Sequence, residues 1–169
     1  MEEDIAKSAV TLSGILVSLF PVMIGGLLAI GGALTGTLLT YFLSERSKRK
    51  AMKREKLEQL LCAANRTEHW LDEYKNTKLG VYEKDIGSSP IAEVKYLNEL
   101  YLNELDTEVI NFSLVAAEYT SLIAACHFEK QKAGVIPSNF IDEYTPIIKK
   151  LTRATSLLVE KAGKVARDI

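Results

Sequence analysis

The N-terminal part of the chain carries one long apolar pattern. Between Lys7 and Glu45 there is no Asp, Glu, Lys or Arg, although 25% of the whole chain is charged. At 1.5 Å per residue, a helix from Val22 to Phe42 spans about 30 Å, the thickness of the hydrocarbon core of a bilayer. An uncharged run of this length is too long for the core of a domain this small. The pattern therefore predicts a single transmembrane helix.

The apolar run begins before this span, and Pro21 divides it. The first part, Ser8 to Phe20, is too short to cross a bilayer, and proline interrupts helical hydrogen bonding. Three interpretations stay open for it: the first half of one long helix kinked at Pro21, an interfacial helix, or half of a re-entrant hairpin. Small residues continue on one face through both parts, which favours the long helix. The sequence does not decide whether Ser8–Phe20 enters the bilayer.

Small residues line one face of the predicted span. The members of this small-residue face are Gly25, Ala29, Gly32 and Gly36. Spacing of this kind lets helix backbones approach closely in lipid, although glycine is also common in membrane helices for other reasons. A chain that crosses once has no other membrane helix of its own to pack against. We therefore expect copies of the chain to associate through this face.

The two ends of the span differ in charge. Three acidic residues and one lysine precede it, whereas the basic run Arg46–Lys56 follows it. The positive-inside rule places the basic end in the cytoplasm and the N-terminus outside. The acidic N-terminus also lacks the basic region of a cleaved signal peptide. The predicted organisation is a membrane segment, a basic juxtamembrane helix and a cytosolic domain, over residues 1–43, 44–56 and 57–169.

The basic run lies where anionic lipid headgroups would meet it, at about 1 kcal/mol per basic residue near the surface. The candidate headgroup contacts are Arg46, Lys48, Arg49, Lys50, Lys53 and Arg54. Seven basic residues in eleven positions also suit nucleic-acid phosphates, but no aromatic residue interleaves them. Residues 57–169 hold 13 basic and 17 acidic residues, a net charge of −4. Such a domain is not expected to bind duplex DNA.

Beyond the basic run, apolar residues recur at intervals of three and four, which is typical of helices. The first helix continues from the juxtamembrane segment to about Lys78, and Gly80 provides a stop. Ser89 and Pro90 predict the cap and the first residue of a second helix, which ends near Tyr101.

The tandem repeat YLNEL-YLNEL occupies residues 96–105. Five residues rotate a helix by about 140°, so the two copies cannot share a face of one continuous helix. Either the repeat is accidental or Asn103 starts a new helix. The third helix then ends at Gly134, and Thr145-Pro146 predicts the start of the last one, with Phe140–Tyr144 as a possible preceding turn. The predicted fold class is all-α, a single transmembrane helix followed by a cytosolic bundle of about four helices.

The apolar stripes of these helices predict the core of the bundle. On the first two helices the stripes are Leu57, Leu60, Leu61, Ala64, Leu71 and Tyr74, and then Ile91, Val94, Leu97 and Leu100. The third and most apolar stripe is Leu105, Val109, Phe112, Ala116, Tyr119, Ile123 and Cys126. The last is Ile148, Leu151, Leu158, Ala162 and Val165.

No residue pattern of the sequence indicates an enzyme, a metal site or a cofactor. The chain has no phosphate-binding loop, nucleophile elbow, HExxH or CxxC motif. The chain has two histidines and two cysteines as possible zinc ligands. We expect His69 at the surface, and Cys126 in the core as a small apolar residue. The sequence therefore predicts no catalytic residues, no metal and no cofactor.

Two small clusters are candidates for ligand binding. Arg66 and Trp70 lie one helical turn apart off the apolar stripe, so the guanidinium can stack on the indole. Such a planar surface suits a nucleic-acid base or a protein partner, although a tryptophan packed against a neighbouring helix gives the same pattern. Near the C-terminus, Lys149, Lys150 and Arg153 can meet an anionic ligand or form an ordinary solvated face.

The layout of the chain resembles that of the small membrane effectors of bacterial antiviral defence. The resemblance rests on Val22–Phe42, on Arg46–Lys56 and on the helical remainder. In effectors associated with type III CRISPR systems, a cytosolic helical domain assembles around a cyclic oligoadenylate and acts on the attached membrane segment. The resemblance implies a location in the bacterial inner membrane. It also implies a cyclic oligonucleotide as ligand, for which Arg66, Trp70, Lys149, Lys150 and Arg153 are the candidate contacts.

Two functions from different classes follow from these observations. The first is an oligomeric, non-enzymatic membrane effector whose cytosolic domain senses a ligand or a partner. The second is a passive anchor that holds a protein partner at the inner membrane face. The expected partners are membrane lipid, other copies of the chain, and either a cyclic oligonucleotide or a protein. The subunit number and the trigger are not encoded in any recognisable motif.

Overall fold

The computed structural model describes residues 2–82 and 84–169 of the chain. Within these residues the chain forms four α-helices and no strand, which confirms the predicted all-α class. The helices are α1 (Glu2–Lys78), α2 (Ile91–Tyr101), α3 (Asp106–Ala133) and α4 (Phe140–Asp168). A short 3₁₀ turn, Asn103–Leu105, connects α2 to α3.

The chain divides into two compact units between Arg49 and Lys50, within the basic run. The first unit is the N-terminal part of α1. The second, Lys50–Ile169, is a bundle made of the rest of α1 and helices α2 to α4. α1 passes through Pro21 without a break, as expected if residues 8–20 are the first half of one long helix. The side chains of residues 8–19 lie outside what the structure describes.

The core of the bundle draws on all four helices, and α3 and α4 each supply seven of its buried apolar residues. All seven residues predicted for the α3 stripe are buried, and Phe112, Leu105 and Ile123 are completely so. α3 packs against both α2 and α4. On α1, Leu60 and Leu71 are buried beside Ala63 and Thr67, which the periodicity did not single out. Two further core residues that were not predicted, Ile147 and Ala154, lie on α4.

The helix that carries the tandem repeat breaks inside the second copy, at Leu102. α2 ends at Tyr101, and Leu102 adopts φ −138° and ψ 41°, so a new helical turn begins at Asn103. This break brings Leu97, Leu102 and Leu105 into the same core. Leu100 is 51% exposed, so its prediction as a core residue is wrong. Leu100 lies about 120° around the helix from Val94, the buried residue six positions earlier, so it is turned away from the core face of α2.

α4 begins six residues earlier than predicted, since Thr145 was expected as its cap and Pro146 as its first residue. Its first residue is Phe140, and Pro146 lies inside the helix. The hydroxyl of Thr145 does not cap the helix but donates to the Ile141 carbonyl oxygen at 2.8 Å. Burial of Phe140 and its stacking on Tyr144, with ring centroids 5.2 Å apart, stabilise the first turn. This packing outweighs the hydrogen bond that the proline removes.

Glycines end two of the helices, as predicted. After α1, Gly80 adopts φ 74°, and Val81 donates its backbone N–H to the Asn76 carbonyl oxygen at 2.8 Å. This is the hydrogen-bond pattern of a Schellman motif. After α3, Gly134 adopts φ 76° and donates to the Lys130 carbonyl oxygen at 2.7 Å. Both positions require the left-handed conformation that glycine adopts most easily.

We expect Gly134→Ala to lower the free energy of unfolding by about 1–2 kcal/mol, the cost of the left-handed conformation for a residue with Cβ. No described atom lies within 4 Å of the added Cβ, so the effect comes from the backbone alone. Gly163→Ala is the matched control, because Gly163 lies inside α4 with equally open surroundings. It should raise the stability by about 0.5–1 kcal/mol. Urea unfolding followed by Trp70 fluorescence measures both, and equal signs would contradict the assignment.

Candidate functional site

From Phe20 onward, the N-terminal unit exposes large apolar side chains. Leu28 is 71% exposed, Leu34 61% and Phe42 66%. Within α1, the part Ile24–Lys78 contains a stretch of 18 residues that is long and apolar enough to cross a membrane. None of this stretch is buried within the described residues. The helical stretch Asn103–Ala133, which includes α3, is also long and apolar enough to cross a membrane. However, 44% of its most apolar part is buried in the bundle, where it forms part of the core. The N-terminal segment is therefore the better candidate for a membrane span.

The threonine hydroxyls between residues 22 and 42 find their hydrogen-bond partners within the helix itself. The hydroxyls of Thr35, Thr37 and Thr40 each donate to the carbonyl oxygen four residues earlier, at 2.8 Å. A helix satisfies its own backbone hydrogen bonds in the same way. Hydroxyl groups paired in this manner carry a smaller desolvation cost in hydrocarbon. The threonines are thus compatible with a position in lipid.

The small-residue face is open along the described part of the single chain. A Cβ added to Gly25, Gly32 or Gly36 would meet no described atom within 4 Å outside the helix's own backbone. The same holds for Gly31, which points away from this face because it lies one residue, or about 100°, before Gly32. The face therefore has room for a neighbouring helix at backbone distance.

The six candidate headgroup contacts are not equally available. Lys53 is half-buried and forms an ion pair with Glu104, which lowers the pKa of that carboxyl. Arg49 pairs with Glu45 at 3.1 Å on the same helix. The other four are exposed and make no ion pair within the described residues; they are Arg46, Lys48, Lys50 and Arg54. Lys53 therefore contributes to the bundle as well as to the charge of the basic run.

Arg66 and Trp70 do not form the predicted stack. The guanidinium of Arg66 lies 2.8 Å from both carboxylate oxygens of Glu93 on α2. The indole of Trp70 instead stacks on Tyr74, with ring centroids 5.1 Å apart and planes inclined by 20°. An oppositely charged partner on a neighbouring helix explains why the arginine leaves the indole, since a paired charge gains more than a cation–π contact at an exposed site.

The basic cluster on α4 consists of Lys149, Lys150 and Arg153. Lys150 pairs with Glu118 of α3 at 2.7 Å, whereas Lys149 and Arg153 are exposed. Among the described residues, no hydrogen bond or ion pair joins the three α4 residues to Arg66 or Trp70. α4 itself contacts α1 close to Arg66 and Trp70, because the hydroxyl of Thr155 donates to Glu68 Oε1 at 2.5 Å.

The side chains of His69 and Cys126 lie where the sequence placed them. His69 is exposed, with its Nε2 3.5 Å from Glu73 Oε1. Cys126 is buried in the core, and this burial raises the pKa of its thiol. Cys62 is exposed. In the part of the chain that the structure describes, no three His, Cys, Asp or Glu residues are grouped as a metal site.

A cleft beside Trp70 was not predicted from the sequence. It lies between α1, α2 and α3, and its volume is about 270 Å³. Lys95 and Ser113 line it together with Trp70 and Tyr74. In the sequence, Ser113 stands out only as a polar residue that directly follows Phe112 in the most apolar helix. Its burial depends on the packing of α2, which the sequence does not show. No family model, curated protein or solved structure matches the chain.

Proposed function

We propose that the protein is a membrane-anchored, oligomeric, non-enzymatic effector whose cytosolic bundle senses a ligand or partner and acts on the membrane. The observation that carries the proposal is the dual composition of α1. At one end this helix exposes apolar side chains such as Leu34, and at the other it supplies core residues such as Leu60 and Leu71. A change in packing around the C-terminal half of α1 therefore acts on the same helix that enters the membrane.

The orientation follows from the charges that flank the span. The basic run lies on the cytoplasmic side of the bacterial inner membrane, with the short acidic N-terminus outside. Copies of the chain associate through the small-residue face Gly25, Ala29, Gly32 and Gly36, where close backbone contact is sterically free. Association of several spans would bring the threonine-bearing helices together, and rearrangement of those spans is the effector step.

A ligand drives this step only through a difference in its affinity for the two arrangements of the bundle. The resemblance in layout to the membrane effectors of antiviral defence supports a cyclic oligonucleotide as trigger. Trp70 and the α4 residues Lys149 and Arg153 supply a ring and positive charges for such a ligand. Arg66 and Lys150 take part only after leaving Glu93 and Glu118, with which they are paired.

The proposal is tested by measuring the membrane potential of bacterial cells that express the full chain. Cells that also produce cyclic oligoadenylates should depolarise, and cells without them should not. In the double variant Gly32→Leu, Gly36→Leu the depolarised fraction should fall to the uninduced background, because bulky side chains block the close helix contact. Gly31→Leu adds the same bulk off the face and should depolarise like the wild type.

A membrane potential that stays unchanged with cyclic oligoadenylates present contradicts the effector proposal. The second candidate, a passive anchor, is favoured by exposed apolar side chains on α2 and α3. Tyr96 is 59% exposed, Ile110 58% and Leu114 65%. Residues of this kind suit a protein partner. Co-purification of a stable partner in detergent, without any change in membrane potential, supports the anchor.

A further inference from the structure

We infer that the cleft between α1, α2 and α3 binds a small aromatic anion, meaning a ring with a hydrogen-bonding edge and one negatively charged group. This inference rests on the proposed sensing role of the bundle and gives it a site. The cleft combines an aromatic wall, a buried hydroxyl and a lysine at its rim, contributed by Trp70, Tyr74, Ser113 and Lys95. Each of the three features matches one part of such a ligand.

The aromatic wall is fixed before any ligand arrives. The indole of Trp70 stacks on Tyr74, and its Nε1–H donates to the carbonyl oxygens of Ile86 at 3.0 Å and Gly87 at 3.3 Å. The connection between α1 and α2 therefore holds the ring in one orientation. A ligand ring that packs against this wall pays little conformational entropy, because the protein is already ordered.

Ser113 provides the polar group inside the cleft. Its residue is 6% exposed, and its hydroxyl oxygen has no hydrogen-bond partner among the described residues. Buried hydroxyls are almost always paired, so an unpaired one lining a cavity needs an explanation. The buried hydroxyls of Thr77 and Tyr119 also have no partner among the described residues, but neither residue lines the cleft. The hydroxyl of Thr120, which does line it, donates to the Ala117 carbonyl oxygen at 3.0 Å. A polar ligand edge would give the Ser113 hydroxyl its partner.

Lys95 provides the charge. It lies one turn after Ile91 on α2, and both side chains line the cleft. The neighbouring carboxylate of Glu93 is already paired with Arg66, and Lys95 has no ion pair in the described parts of the chain. An exposed ammonium at the rim of an apolar cleft attracts an anionic group whose ring is buried.

The size of the cleft limits the ligand. A cavity of about 150 Å³ holds a benzene molecule, so a volume of about 270 Å³ has room for a ring and a small charged substituent. This chemistry can come from two sources, the base and phosphate of a nucleotide or an aromatic carboxylate. The two are distinguished by testing one of each.

The binding test uses the full chain in detergent and the fluorescence of Trp70, which is the only tryptophan. Adenosine monophosphate and 4-hydroxybenzoate are titrated separately. We expect a saturable change with at least one of them, and the probe that saturates identifies the source. Ser113→Ala and Lys95→Gln should each weaken its binding about tenfold, the loss expected for one hydrogen bond to a charged or buried group.

The matched control is Lys132→Gln, which removes an exposed lysine from the last turn of α3, outside the cleft. It should bind like the wild type. Saturation with neither probe overturns the inference, as does unchanged affinity in both cleft variants or a loss confined to Lys132→Gln. If the chain depolarises cells but binds neither probe, the inferred cleft site is wrong and the effector proposal stands. If the chain binds a probe but leaves the membrane potential unchanged, the cleft site stands and the effector proposal is wrong.

Discussion

Arginine at both Leu34 and Leu38 is expected to prevent the chain from entering the membrane. Both leucines are exposed in the N-terminal unit, at 61% and 57%, and lie within the predicted span. An arginine near the centre of a membrane helix costs about 2.5–3.5 kcal/mol on insertion scales, so the pair costs about 5–7 kcal/mol. A span that contains several glycines and threonines has little apolar surplus to offset this cost.

The measurement is the share of the chain that stays in the membrane fraction after washing with alkaline carbonate. The matched control replaces the same residues by isoleucine, which keeps the hydrophobicity and should keep the chain in the membrane. If the double arginine variant stays in the membrane as fully as this control, the segment is not a span. A wild-type chain that is soluble and monomeric without detergent would contradict the membrane assignment as a whole.

Leu60→Ala is expected to lower the free energy of unfolding of the bundle by about 2–5 kcal/mol. Leu60 is completely buried on α1, and truncation of a buried leucine loses its transfer free energy and leaves a cavity. Urea unfolding of the full chain in detergent, followed by Trp70 fluorescence, reports this change, because Trp70 packs against the same core. The membrane segment contains no tryptophan and does not contribute to the signal.

The same substitution at Leu114 is the control for this prediction. Leu114 is 65% exposed on α3, so Leu114→Ala should change the stability by less than about 0.5 kcal/mol. A loss at Leu60 as small as the one expected at Leu114 would mean that α1 is not part of the bundle core. Leu60→Ala should also leave the chain in the membrane fraction, since the span does not include this residue.

Periodicity was sufficient to predict the helices and most of the core. The α3 stripe from Leu105 to Cys126 was predicted completely, because a helix between two neighbours carries a wide and regular apolar face. The ends of α1 and α3 were predicted from Gly80 and Gly134, whose left-handed conformation leaves a clear mark in a sequence. Local chemistry determines these features, so the sequence alone reveals them.

The features that periodicity missed depend on contacts between helices. The start of α4 at Phe140 follows from burial against the core, which outweighs the helix-breaking tendency of Pro146. The position of Arg66 depends on Glu93, 27 residues further along the chain. Ser113 belongs to the candidate site only because α1 and α2 leave a cleft beside it. None of these neighbours can be identified from spacing along a single helix.

The order of synthesis gives the shared composition of α1 a further consequence. Translation produces α1 before the helices that cover its C-terminal half. Leu60 and Leu71 are therefore uncovered on the nascent chain, on the same helix as the candidate membrane span, until α3 has emerged. Exposed apolar residues of this kind favour aggregation and recruit chaperones. A chain truncated before Asp106 should thus be cleared by proteases even when its anchor has been inserted correctly.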